Sequence, residues 1–306
     1  MKPVLWVNNF NKEKFVYGAC AGALAQSIPC HILFTDMQST DNSWNEIERA
    51  VKEAPRGEDH DVVWLKTPTT GINTFSSLSD HFAFAVNVMN NEFPDAEWLL
   101  QCSSDDFSLP DRAKVCMEAI EKNPCSAIAT TMFFAKPEDL TVGQNNLPVS
   151  GYPTVSGYVD AGEALQKLGY GSVIAGYSKH FLNKVGGFKV TPDVFYGYLA
   201  ALEEGFYVVA NPQHVHIQHK SESNLGFGGK LLAAQGEELA RLNELNQFQL
   251  YKTYYETLKR AGELFPTGIK QEHLNALYNM MLGHSIGWYN AREELHLNNI
   301  TPGVLQ

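Results

Sequence analysis

Trp98-Leu99-Leu100-Gln101-Cys102 runs straight into Ser103-Ser104-Asp105-Asp106. A short, largely apolar run without polar alternation predicts a strand buried on both faces, as in parallel sheets. Such sheets bind ligands at the carboxyl ends of their strands, where Asp105 and Asp106 fall. Adjacent carboxylates on a tight turn can hold Mg²⁺ or Mn²⁺, hard cations that prefer oxygen ligands. That cation can bridge a diphosphate and stabilise it as a leaving group. A plain helix start is the competing explanation. Ser108-Leu109-Pro110-Asp111 has the pattern of an N-cap, with proline in the first turn and an acid at the third position. It accounts for Ser108 and Asp111, but not for the two acids before the cap.

The flanking sequence alternates between strand and helix. Val4 to Val7 is an apolar strand ending in Asn8-Asn9-Phe10-Asn11. Phe15, Val16, Cys20, Ala23 and Leu24 share one face of the helix after it. That helix stops at Gln26-Ser27-Ile28-Pro29, because proline cannot continue it. His31 to Thr35 is a second strand, with Asp36 at its carboxyl end. A helix around Trp44 to Val51 leads to a strand at Val62 to Leu65. Leu78, Phe82, Ala85, Val86 and Met89 then recur at helical spacing. The expected fold class is α/β, a mainly parallel central sheet flanked by helices.

A chain of 306 residues suits one large α/β domain with an addition, and it folds without disulfides. With 44% hydrophobic and 19% charged residues it is not a disordered chain. No apolar run approaches the roughly 18 residues that span a bilayer, and Met1 to Asn8 reads as a first strand rather than a signal peptide. The five cysteines form no C-x-x-C pair, which argues against a zinc or thioredoxin-type site. Cys20, Cys30 and Cys102 read as small core residues in a reducing compartment, so a cytoplasmic location is expected. A net charge of −11 repels nucleic acid and suits the handling of anions through a metal ion. The polar, Gly-rich stretch from Ser221 to Gly229 divides the chain into an α/β unit, 1–223, and a helical C-terminal extension, 224–306.

Several segments stand in a telling order. Asn11 and its helix lead to the Gln26-Ser27-Ile28-Pro29 turn. Asp36-Met37-Gln38-Ser39-Thr40-Asp41 is a D-x-x-S-x-D segment, and Ser104 to Arg112 holds the acidic doublet with its following helix. Gly186-Gly187-Phe188 precedes Asp193 and then Glu204-Gly205-Phe206. His219-Lys220-Ser221-Glu222-Ser223 closes the series. Together they resemble a family 2 glycosyltransferase with the GT-A nucleotide-sugar-binding fold, inverting and metal-dependent, over residues 1–223.

The resemblance implies roles. Asn11, Asp36 and Ser39 would hold the nucleotide base and ribose. Asp105 and Asp106 would hold the metal and diphosphate, His219 would contact the same group, and Asp193 would be the catalytic base. The donor would be a nucleoside-diphosphate sugar, a UDP sugar first among them, with Mn²⁺ or Mg²⁺ as the cofactor. Four departures stand out. Ser103 replaces a common acid, Pro192 replaces the Glu that often precedes the base, and Asp80-His81 stands where Arg-Asn is frequent. No Q-x-x-R-W motif points to a processive polysaccharide synthase.

Other readings of these residues stay open. Asp36 also has the position of a turn cap, and Asp193 that of a helix N-cap, which does not exclude catalysis. On a strand, His214 and His216 share a face while His219 points away, so a three-histidine metal site is not expected. His81 reads as a packing or polar-contact residue. The long Lys136 to Gly171 segment has the character of a loop that shapes a binding site. Phe248, Tyr251, Tyr254, Tyr255, Tyr278, Trp288 and Tyr289 are expected to pack the tail on the core or to form a homodimer, in preference to an acceptor platform. The acceptor classes are a glycan, a lipid-linked sugar, a protein, or a hydroxymethylated base in DNA of the bacteriophage type. Net charge disfavours DNA. A sugar-nucleotidyltransferase would need a Gly-rich basic loop where Asn8-Asn9-Phe10-Asn11 stands. An inactive nucleotide-sugar-binding relative would have no use for both Asp106 and Asp193.

Overall fold

The computed structural model describes residues 2–68, 75–135, 149–150, 155–166, 175–186, 196–217, 259–273 and 275. Strands β1 (Val4–Asn9), β2 (His31–Asp36) and β3 (Asp61–Lys66) are parallel neighbours, and β4 (Trp98–Ser103) joins the other side of β1. Helices α1 (Val16–Leu24), α2 (Ser43–Glu53) and α3 (Phe75–Glu92) connect them. The chain therefore steps outward from β1 to one side, then returns to place β4 on the other. Such a switch point opens a crevice at the carboxyl ends of the two central strands. The register brings Asn9 opposite Asp36 and Asn8 opposite Ser103 at that edge.

Beyond β4 the strand directions mix. The chain continues through β5 (Asp106–Ser108), α4 (Arg112–Lys122), β6 (Ala127–Ala135), β7 (Val149–Ser150), β8 (Gly157–Val159) and α5 (Ala161–Gln166). It then forms β9 (Ala175–Ser178), α6 (Lys179–Lys184), α7 (Tyr196–Glu203) and β10 (Phe206–Ile217). The sheet order is β3-β2-β1-β4-β9-β6-β10-β5, with β7 on β6 and β8 on β10. β9 runs antiparallel to both β4 and β6, β10 runs parallel to β6, and β5 runs antiparallel to β10. The α/β class with a helix-flanked sheet is as expected, and the parallel order holds from β3 to β4. Register on β10 shifts between Val209 and His214, around Asn211-Pro212. Proline lacks an N–H for the ladder, so a bulge is where a strand tolerates it.

Alternating residues build two cores, one on each face of the sheet. Trp6, Leu33 and Leu99 meet Phe82 and Met89 of α3, with Tyr177, Phe181 and Tyr196. Leu5, Val7, Ile32, Phe34 and Leu100 meet Val16, Cys20 and Leu24 of α1 and Ile47 of α2. All five cysteines are buried and unbridged, as expected. Burial pushes the Cys30 and Cys102 thiols up to about 12, far from a reactive thiolate.

Of the C-terminal extension, the structure describes a helix at 259–264 and the segment after it. Ala261 and Phe265 join the same core as α7, and His273 meets the Tyr198 ring edge-on. The tail aromatics singled out above, and the boundary at 223, lie outside the described residues. No described helix is long and apolar enough to cross a membrane.

Candidate active site

The acidic doublet sits where β4 hands over to β5, beside the switch point. β5 pairs with β10 so that Asp106 faces His216 and Ser108 faces His214. Asp106 is 1% exposed. Its Oδ2 accepts from His214 Nε2 at 3.1 Å, and its Oδ1 accepts from His216 Nδ1 at 3.0 Å and from the Ile217 N–H at 3.2 Å. Burial alone would raise the Asp106 carboxyl, but the bonds from His214 and His216 overcome it and hold it well below the usual carboxylate range. The same bond raises His216, whereas burial pushes His214 down. The cluster is therefore an ionised Asp106 beside a His216 whose protonated form is favoured and a His214 whose neutral form is favoured, with Nε2 donating.

Asp105 has the opposite setting. Its side chain is 16% exposed, its Oδ1 accepts from Ser103 Oγ at 2.5 Å, and its Oδ2 takes the Lys12 ammonium at 2.9 Å. Burial pulls its carboxyl up, but the Lys12 charge and the hydrogen bonds from Ser103 and Lys12 together outweigh that pull, so Asp105 is lowered and ionised.

The acid turn is braced from behind. The structure corrects the N-cap expected at Ser108. Ser108 ends β5, α4 begins at Arg112, and Asp111 precedes it without a side-chain cap. Gln26 does the capping: its Oε1 accepts the Ala113 N–H, while its Nε2 donates to the Gly22 and Leu109 carbonyls. Ser27 donates to Asp111, and buried Arg112 donates to Ser108 Oγ and the Gln101 carbonyl. The turn after α1 thus anchors the start of α4, and α4 anchors both ends of the acidic loop.

On the other side of the switch point, the loops after β1 and β2 are tied together. Asp36 is buried, with Oδ1 accepting from Asn9 Nδ2 at 2.7 Å and Ser39 Oγ at 2.5 Å, and Oδ2 accepting the Ser39 N–H at 3.0 Å. Asn11 stands at φ 49° and Gln38 at φ 59°, backbone positions that asparagine tolerates and most residues avoid. The Asn11 N–H donates to Ser39 Oγ, and its Oδ1 accepts the Thr40 N–H. Asp36 thus serves as the turn cap, building the cradle from inside. Asn11, Asp36 and Ser39 are brought together as one unit.

His81 is buried under this cradle. Its Nε2 hydrogen-bonds with Thr35 Oγ1 at 3.1 Å, and Thr35 Oγ1 also accepts from Trp6 Nε1 at 2.7 Å. Burial pushes His81 down to about 3, consistent with a neutral packing residue. Asp193 and His219 lie outside the described residues. Two features escaped sequence reasoning: Lys12 as the partner of Asp105, and the two histidines as partners of Asp106. The shared face of His214 and His216 was a signal for the second; the β5–β10 pairing that supplies their partner was not.

A divalent cation held mainly by substrate phosphates needs only one or two protein carboxylates, and keeps waters for the rest. Asp105 fits that role, being ionised, partly exposed and already in contact with a cation. Asp106, expected to share the metal, is turned inward, its Oδ1 bonded to His216 and the Ile217 N–H and its Oδ2 to His214. Among the described residues no group of three or more His, Cys, Asp and Glu forms a closed metal site.

No protein-family profile and no curated protein matches the chain. Solved structures do. TarS 1–349 of S. aureus in complex with UDP-GlcNAc aligns at a TM-score of 0.55 and 13% identity, over 98% of this chain and 93% of that one. The same TarS fragment in complex with UDP aligns at 0.52 and 13% identity, over 97% and 92%. The mannosyltransferase PcManGT of Pyrobaculum calidifontis, in complex with GDP-Man and Mn²⁺, aligns at 0.50 and 12% identity, over 95% and 83%. At such identities the likeness is one of fold: an α/β sheet flanked by helices, of the kind expected from the sequence.

Proposed function

We propose that this chain is a glycosyltransferase that moves a sugar from a nucleoside-diphosphate sugar, a UDP sugar first, to an acceptor hydroxyl. Transfer is metal-dependent and inverts the anomeric carbon. The observation that carries this reading is the ionised Asp105 on the β4–β5 turn, facing the bonded loops after β1 and β2 across the switch point. It is supported by a fold shared with structures holding UDP-GlcNAc, and GDP-Man with Mn²⁺.

Roles follow from the environments. Asn11 and Ser39, shaped by Asp36, cradle the base and ribose. Asp105 is the protein carboxylate for Mn²⁺ or Mg²⁺, which when bound would neutralise the diphosphate as a leaving group. Asp106 holds His216 and the turn in place from inside. His219 is assigned to the metal–diphosphate, and Asp193 takes the proton of the acceptor hydroxyl. The acceptor is a glycan, a lipid-linked sugar or a protein.

A screen of nucleotide sugars with Mn²⁺ and candidate acceptors tests the reading. Acceptor-stimulated release of UDP is expected; no binding to any nucleotide sugar would sink it. Asp193→Asn keeps the shape but loses the proton acceptor. It should bind metal–UDP like the parent yet transfer sugar about 10²- to 10⁴-fold more slowly. A lowered melting temperature with near-parental turnover would make Asp193 structural instead.

A further inference from the structure

We infer that Lys12 is a built-in cation which a divalent metal must displace from Asp105, so that metal entry is coupled to arrival of the donor diphosphate. This rests on the donor-site reading above. Lys12 follows β1 at the switch point, and its side chain is only 6% exposed. Its ammonium stands 2.9 Å from an Asp105 carboxylate that is itself largely shielded. An ion pair so far out of water is unlike a solvated surface pair, because solvent and salt screen its charges much less.

The main chain of Lys12 is fixed. Its N–H donates to Ser43 Oγ at 2.8 Å, and its carbonyl accepts from the Phe15 and Val16 N–H groups at 2.9 Å each. Asn11 before it is locked to Ser39 and Thr40. Only the side chain can move, and a lysine has a flexible four-carbon stem for that. A divalent ion and an ammonium in contact with the same carboxylate repel each other strongly in a shielded site. The neighbouring Asp106 does not relieve the conflict, since it is committed to His214, His216 and the Ile217 N–H. The site therefore disfavours a bare metal ion. A diphosphate supplies the missing negative charge: its oxygens ligate the metal and receive the displaced ammonium, which binds phosphate as a point charge.

The test is Mn²⁺ binding without nucleotide, read by electron paramagnetic resonance of the free aqueous ion. Lys12→Met should bind Mn²⁺ about tenfold more tightly than the parent, because the competing charge is gone. Its UDP affinity at saturating Mn²⁺ should fall. Lys12→Arg keeps the charge and should bind Mn²⁺ no more tightly than the parent. Mn²⁺ affinity in Lys12→Met at or below the parental value overturns the inference. If that variant does not fold, a crystal structure of the unaltered chain with Mn²⁺ and UDP decides. Lys12 more than about 4 Å from Asp105 and turned to phosphate supports it; an intact pair beside a bound metal overturns it. UDP that fails to bind the unaltered chain in Mn²⁺ counts against the donor site, while the Mn²⁺ comparison alone judges Lys12.

Discussion

Asp105 and Asp106 are chain neighbours whose roles differ because one meets a lysine at the cleft and the other meets two histidines inside. The Asp106 carboxylate accepts charge-assisted hydrogen bonds that are individually worth about 1.5 to 3 kcal/mol. Asp106→Asn keeps the shape and loses the charge, so it should lower stability by about 2 to 4 kcal/mol. Urea unfolding reads this, and a parental midpoint would mean the cluster contributes little. His81 makes a separate prediction. It titrates near 6.5 when unfolded and near 3 when buried, so the unfolded chain binds a proton that the folded chain refuses. Its contribution to stability is whole above 6.5 and drains away as pH falls toward 3, by about 1.4 kcal/mol per unit. Between pH 7 and 5 the parent should therefore lose about 2 kcal/mol more than His81→Met. Equal losses would show that His81 is not buried in its neutral form.

At the scale of elements, the placing of the acid turn depends on α1 lying close against β5. A Cβ on Gly22 would come within 2.6 Å of the Ser108 carbonyl oxygen, which is backbone and cannot swing aside. Gly22→Ala should therefore shift β5 or α1 and cost about 1 to 3 kcal/mol, with weaker Mn²⁺–UDP binding in the folded fraction. Unchanged stability and binding would show that the contact has slack. The elements from β1 to β4 were legible because their residues form apolar runs or recur at helical spacing. Val4–Val7 and Trp98–Cys102 are apolar throughout or nearly so, β2 has the apolar run Ile32-Leu33-Phe34, and α3 repeats Leu78, Phe82, Ala85 and Met89. β5, β7, β8 and β9 were not, since strands of two to four residues complete no pattern and form only against partners far along the chain. The same limit hid the site's electrostatics. Asp106 is next to Asp105 in sequence, but its partners His214 and His216 lie 108 and 110 residues away.

At the scale of the molecule, the parallel run β3-β2-β1-β4 supplies the crevice, and the mixed run β9-β6-β10-β5 supplies the histidines behind it. The described part of the tail adds Ala261 and Phe265 to the core beside α7, so it shares that core with the sheet. The account as a whole turns on Asp105 joining a divalent metal to a nucleoside diphosphate. Titration calorimetry of UDP into the parent and into Asp105→Asn, each with Mn²⁺ and with a chelator, tests that directly. The account predicts Mn²⁺-dependent binding in the parent and, in Asp105→Asn, an affinity that no longer responds to Mn²⁺. Asp105→Asn binding UDP with Mn²⁺ as tightly as the parent, or a parent that binds no UDP at all, would contradict it.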